Sequence, residues 1–118
     1  GKDNPTIGIG QSVAQMLSEI TRQRAGAINV VDSRGKLMGL VTDYDIRRAL
    51  EKGKKIRTLS IRQIMNPKPT TVYPQTMAAR AAQIMENRRA PFNVLPVVNH
   101  HGRSVGMIQI NDMRARGL

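Results

Sequence analysis

Apolar positions along the chain change their period several times, and each change marks an element. Short extended runs at 6–9 and 70–73 each follow a proline, which disfavours helix before it. Ser12 and Thr76 then stand as candidate N-caps for helices over about 13–24 and 77–88. In the later helix Met77, Ala81, Ile84, Met85 and Arg88 fall three and four apart, which places one stripe against a core. Apolar runs at 28–32 and 37–41 flank Asp32-Ser33-Arg34-Gly35, a hairpin turn with glycine at its corner. The runs 94–99 and 104–109 do the same around Asn99-His100-His101-Gly102. A further helix is expected over 43–51, stopped at Gly53, and Ser60-x-x-Gln63 opens a short one that ends at Asn66-Pro67.

These elements form a repeat. Gly35 and Gly102 stand 67 positions apart, and Gly39/Gly106, Asp45/Asp112 and Arg47/Arg114 keep that offset. Upstream, NPTIGIGQSVA aligns with KPTTVYPQTMA at an offset of 64, so the second copy carries three extra residues around Ala90-Pro91-Phe92-Asn93. Each copy reads β-α-β-β-α. Two copies are too few for a solenoid, so the expected fold is α+β, with two half-modules packed face to face about a pseudo-twofold axis. The division is expected at 1–56 and 57–118, the first copy lacking a leading helix.

Composition narrows the class. At 118 residues, 40% hydrophobic with seven Met, one Phe, two Tyr and no Trp, the chain can bury a core of branched aliphatics and methionine. Absence of cysteine excludes disulfides and thiolate zinc sites and fits a reducing, cytoplasmic setting. No run reaches the roughly 20 apolar residues of a membrane helix. The net charge of +11 calls for an anionic partner or a solvated surface. Its cations are scattered, in doublets such as Arg47-Arg48, Lys54-Lys55 and Arg88-Arg89, and three aromatics make a poor base-stacking platform. A phosphorylated small molecule fits this pattern better than nucleic acid. His100-His101 lies in a turn without a carboxylate or cysteine beside it, so no metal site is expected, nor any catalytic triad.

Candidate chemistry concentrates where a strand runs into a helix, at Gly39-Leu40-Val41-Thr42-Asp43-Tyr44-Asp45. A helix N-terminus favours phosphate, the Thr42 hydroxyl can bond a phosphate oxygen, and Asp45 can accept from the hydroxyls of a ribose. Thr42-x-x-Asp45 is equally a capping box with a structural role. The second copy keeps the acid at Asp112 and has Gln109 where the first has Thr42. The residues alone leave both readings open. The neighbouring Arg47-Arg48 is either a solvated face or a phosphate partner.

The pattern h-h-D-x-x-G-x-h-x-G-h-h-T-x-x-D, written over 30–45 and again, with departures, over 97–112, resembles a tandem pair of CBS (cystathionine β-synthase) domains. The likeness runs from about Asn4 to Gly117. VTDYDIRRALEKG, IRQIMNPKPTTV and DMRARGL resemble, more narrowly, the C-terminal regulatory pair of arabinose-5-phosphate isomerases, which serve Kdo synthesis for lipopolysaccharide or capsule. The resemblance implies a regulatory module of such an isomerase, not an enzyme in itself, following a sugar isomerase domain of the parent chain. It implies a ligand between the repeats, an adenine nucleotide (AMP or ATP) or CMP-Kdo, with no cofactor required. Thr42 and Asp45 would hold it in one site, and Asp112 with Gln109 would mark the second. The backbone at Thr6, Ile7 and Gly8, at Thr70, Thr71 and Val72, and at the strand starts Ala27-Ile28 and Val94-Leu95 would form the adenine-side walls. These isomerases show His-x-His-Asp where this chain has Gln109-Ile110-Asn111-Asp112, a departure that bears on the second site. Association as a homodimer through the helices is implied as well, and an empty dimerisation scaffold is the alternative to a sensor.

Overall fold

The computed structural model describes residues 4–23, 26–86 and 94–109, with the side chains of 84–86 left aside. Within them the order is β1 (Thr6–Gly8), α1 (Val13–Gln23), β2 (Ala27–Val31), β3 (Leu37–Thr42), α2 (Asp43–Glu51), α3 (Ile61–Ile64), α4 (Met77–Glu86), β4 (Val94–Val98) and β5 (Ser104–Gln109). Single 3₁₀ turns at Ile56–Thr58 and Pro74–Thr76 precede α3 and α4. This is the expected α+β fold.

Local chemistry sets most of the boundaries. Ser12 Oγ accepts from Gln15 N at 3.1 Å while Gln15 Oε1 accepts from Ser12 N at 2.9 Å, a reciprocal cap on α1. Ser60 and Gln63 close the same box on α3. Thr76 departs from expectation: it ends the 3₁₀ turn that runs directly into α4 and does not cap that helix. Pro74, with its fixed φ and missing N–H, suits the first turn and moves the helical start ahead of Thr76. The extended run expected at 70–73 contributes one paired residue, Val72, bridged in parallel to Val97.

The first sheet has the order β1-β2-β3, with β1 parallel and β3 antiparallel to β2. β4 and β5 form an antiparallel pair. The repeat persists in fine detail, since the register slips between Val30 and Val31 and again between Val97 and Val98. Each slip precedes a turn held by one side-chain oxygen. Asp32 Oδ1 accepts from the N–H groups of Arg34 and Lys36 at 2.8 and 2.9 Å. Asn99 Oδ1 accepts from His101 and Arg103 at 2.9 and 3.0 Å. Gly35 and Gly102 supply the left-handed corners, at φ 83° and 75°.

The two turns meet. Leu37 N donates to Gly102 O and Ser104 N to Gly35 O, both at 2.9 Å, a mutual exchange between positions equivalent under the repeat. The pseudo-twofold axis therefore passes between Lys36 and Arg103, which form the bridge.

The main core joins Ile7, Val13, Met16, Ile20, Ile28, Val30 and Val41 to Ile61, Ile64 and Met65. Full burial of such a side chain stabilises by about 1.5–3 kcal/mol. The short helix α3 thus packs into the first repeat's core, and its trailing Asn66 pairs through both backbone groups with Leu40 on the edge of β3. Gly39 permits this approach: a Cβ there would lie 2.6 Å from Met65 Sδ and 2.8 Å from the Asn66 carbonyl oxygen.

Candidate functional site

β1 and β2 begin at the sheet edge where β3 ends, because Thr6 lies opposite Asn29 and Ala27 opposite Thr42. The chain leaves that edge as α2. Thr42 is extended (φ −116°, ψ 167°), and its hydroxyl accepts from Asp45 N at 3.4 Å. Asp45 Oδ2 accepts from Thr42 N at 2.9 Å and from Thr42 Oγ1 at 3.0 Å. Both halves of the capping box are therefore made, and both residues are half-buried. The box occupies one carboxylate oxygen; Oδ1 has no hydrogen-bond partner among the described residues and remains an acceptor. Gly26, at φ 69°, accepts from Asp43 N at 3.0 Å and ties the start of β2 to the same helix end.

The residues expected as walls divide by exposure. Ile7, Ala27 and Ile28 are buried, so their side chains serve packing and only backbone could meet a ligand. Thr6 is half-buried on the same edge. In the second repeat Val94 lies opposite Gln109, the counterpart of Ala27 opposite Thr42. Gln109 and Val94 are half-buried, Thr71 is exposed, and Val72 and Leu95 are buried. Asp112, like Asn111, lies outside the described residues, as do the insertion at 90–93 and the Arg88-Arg89 doublet.

His100 stacks on Tyr73 with ring centroids 5.5 Å apart. Among the described residues no group of three or more His, Cys, Asp or Glu could hold a metal ion.

Further along α2, Asp45 also rims a groove of about 350 Å³ closed by α3. Arg48 of α2, Lys52 at its C-cap and Lys54 of the connector line it, together with Ala49, Leu59, Gln63 and Ile64. Of these cations, Arg48 and Lys54 stand in the doublets that the sequence offers, and Lys52 does not. The signal that groups Lys52 with Lys54 is Gly53 between them, which at φ 74° turns the chain back so that Lys54 N donates to Ala49 O at 3.2 Å.

Comparison with known proteins places this geometry. The CBS domain family model matches residues 2–52 and 61–116. The arabinose 5-phosphate isomerase KdsD of Pseudomonas aeruginosa is 36% identical over 118 residues, all of this chain and 36% of the relative. The isomerase KpsF of Escherichia coli is 30% identical over 110 residues, 93% of this chain and 33% of its own length. The chain thus spans about a third of the curated relatives it matches. Among solved structures, the CBS domain pair of protein MJ0100, in complex with 5′-methylthioadenosine and S-adenosyl-L-methionine, superposes with a TM-score of 0.82. It is 24% identical, covering all of this chain and 94% of that one. The CBS domain protein PAE2072 from Pyrobaculum aerophilum, complexed with AMP, gives 0.73 at 21% identity, covering 93% and 82%. A helix and β-hairpin present in both repeats, paired turn to turn with a Thr-x-x-Asp cap at the first one's edge, therefore have their place: the chain belongs to the CBS domain family and carries that domain twice in tandem.

Proposed function

We propose that this chain is the regulatory pair of an arabinose 5-phosphate isomerase and binds a nucleotide or sugar nucleotide between its repeats. Catalysis belongs, on this reading, to a sugar isomerase domain of the parent chain, working in the cytoplasm. The observation that carries it is the half-buried Asp45 carboxylate, anchored by Oδ2 and open at Oδ1, beside the Thr42 hydroxyl. A fixed acceptor at a helix start suits a ribose hydroxyl next to a phosphate. The likeness of all of this chain to a third of KdsD supports the setting, and the adenine-nucleoside complexes of MJ0100 and PAE2072 support the ligand class. Asp112 and Gln109 would mark a second, less typical site. The adenine-side walls are assigned to the backbone of Thr6, Ile7, Ala27, Ile28, Thr71, Val72, Val94 and Leu95. Regulation would follow from unequal affinity for two packings of the repeats, and the ligand can shift the isomerase by no more than that difference.

Calorimetry with AMP, ATP, CMP and CMP-Kdo tests this. Saturable binding of at least one ligand is expected, weakened about tenfold or more in Asp45→Ala while folding stability falls by only about 1 kcal/mol from the lost cap. A stability loss without an affinity loss would leave Asp45 as a cap alone.

A second reading rests on α2, which buries none of its residues fully and exposes Tyr44 and Leu50. Such a face suits a homodimer, and the pair would then be a scaffold with an empty cleft. No heat with any of the four ligands, together with a dimer that Tyr44→Ser and Leu50→Ser dissociate in sedimentation, would favour it.

A further inference from the structure

We propose that the groove between α2 and α3 is a second binding site, for a small phosphate monoester, distinct from the nucleotide held beside Thr42. Three cations line it from two segments: Arg48 in the last turn of α2 and Lys52 at its C-cap, with Lys54 folded back by the left-handed Gly53. Among the described residues the only ion pair is Arg22 with Glu19, so none of the three has a carboxylate within 4 Å. The one acid of the groove, Asp45, is held through Oδ2 by its own N-cap and does not neutralise them. Arg48 is steadied instead by the Tyr44 ring, its guanidinium carbon 5.9 Å from the centroid.

The bland account is that cations near the end of α2 complement its carbonyl dipole. That accounts for attraction to the helix end but not for the part of the lining that α3 supplies. Gln63 stands there with its Oε1 held by Ser60 N at 2.8 Å, which leaves its amide nitrogen as a donor. Three cations and an amide donor around one space make a phosphate site, and charge-assisted bonds of this kind are the strong ones. Asp45 at the rim, whose open oxygen belongs to the proposed nucleotide site, repels a second phosphate and limits the groove to a monoester. The volume of about 350 Å³ lies at the small end of ligand pockets, which favours a monoester of a short polyol over a nucleotide.

The test is titration of the full 118-residue chain with ribose 5-phosphate and with inorganic phosphate at physiological ionic strength, followed by amide shifts and calorimetry. Saturable binding of ribose 5-phosphate is expected, tighter than phosphate, with shifts confined to α2, the connector and α3. The double variant Lys52→Gln/Lys54→Gln should weaken it about tenfold or more. The control Lys55→Gln/Arg57→Gln, on connector cations outside the groove, should change it little, and both variants should melt near the parent temperature. AMP binding, where present, should survive the groove variant and should not compete with ribose 5-phosphate. Absence of saturation, an equal loss in the control, or competition with AMP would each overturn the proposal. Failure of all four nucleotides, with ribose 5-phosphate still bound, would count against the cleft reading and support this one.

Discussion

Asn29 on β2 reaches across the join between the repeats and donates from Nδ2 to the Gly106 carbonyl of β5 at 3.0 Å. The same amide donates to Ser104 Oγ at 2.9 Å, and that hydroxyl donates in turn to Asn4 Oδ1 at 2.7 Å. Asn29 is the buried polar side chain of a core otherwise apolar among the described residues. Its counterpart under the repeat is Pro96, which has no side-chain donor, so the join is pinned from one side of the pseudo-twofold axis. Asn29→Ala would remove the donor to both Gly106 O and Ser104 Oγ at the join, and should lower unfolding free energy by about 1–3 kcal/mol in urea titration. A midpoint unchanged from the parent would show that these bonds contribute nothing to holding the repeats.

At Gly39 the residues that trail α3 lie tight against the sheet. A methyl group there meets Met65 Sδ and the Asn66 carbonyl, and the latter is backbone that cannot step aside cheaply. Gly39→Ala should destabilise by about 1–3 kcal/mol through overpacking. Hydrogen exchange should accelerate first at the Leu40 and Asn66 amides, which bond each other's carbonyls. Faster exchange spread evenly over the chain would argue against α3 docking as the point of strain.

The two caps separate structure from ligand binding. Ser60→Ala and Thr42→Val each remove a hydroxyl that accepts at N3, and each should cost about 1 kcal/mol of stability. Only Thr42→Val should weaken a nucleotide bound between the repeats. Equal affinity in both variants would assign Thr42 to capping alone.

The Asp32 turn gives the acid limb of stability a source. The backbone N–H groups of Lys36 and then Arg34 hold its carboxyl below the ordinary carboxylate value. A carboxyl depressed in the folded state adds stability fully present above its unfolded value, about 4, and lost as pH falls through the folded one. Glu19, lowered first by its bond from Arg22, adds in the same direction. Asp32→Asn should keep the turn, since Asn99 makes the same two bonds in the second repeat. It should flatten the decline of thermal stability below about pH 4. An unchanged acid limb would remove Asp32 from the account.

Much of this molecule was written locally. The turns at Asp32 and Asn99, the caps at Ser12, Thr42 and Ser60, and the α2 span are set by residues three or four apart, so the chain declared them before any packing was known. The doubled pattern declared the pairing of repeats for the same reason. Tertiary structure alone decided that α3 completes the first repeat's core, that Asn29 crosses to Gly106, and that Arg48, Lys52 and Lys54 share a groove with Gln63. Such contacts join positions far apart in sequence or on separate elements, and burial and close approach, which no local pattern encodes, select among the partners available.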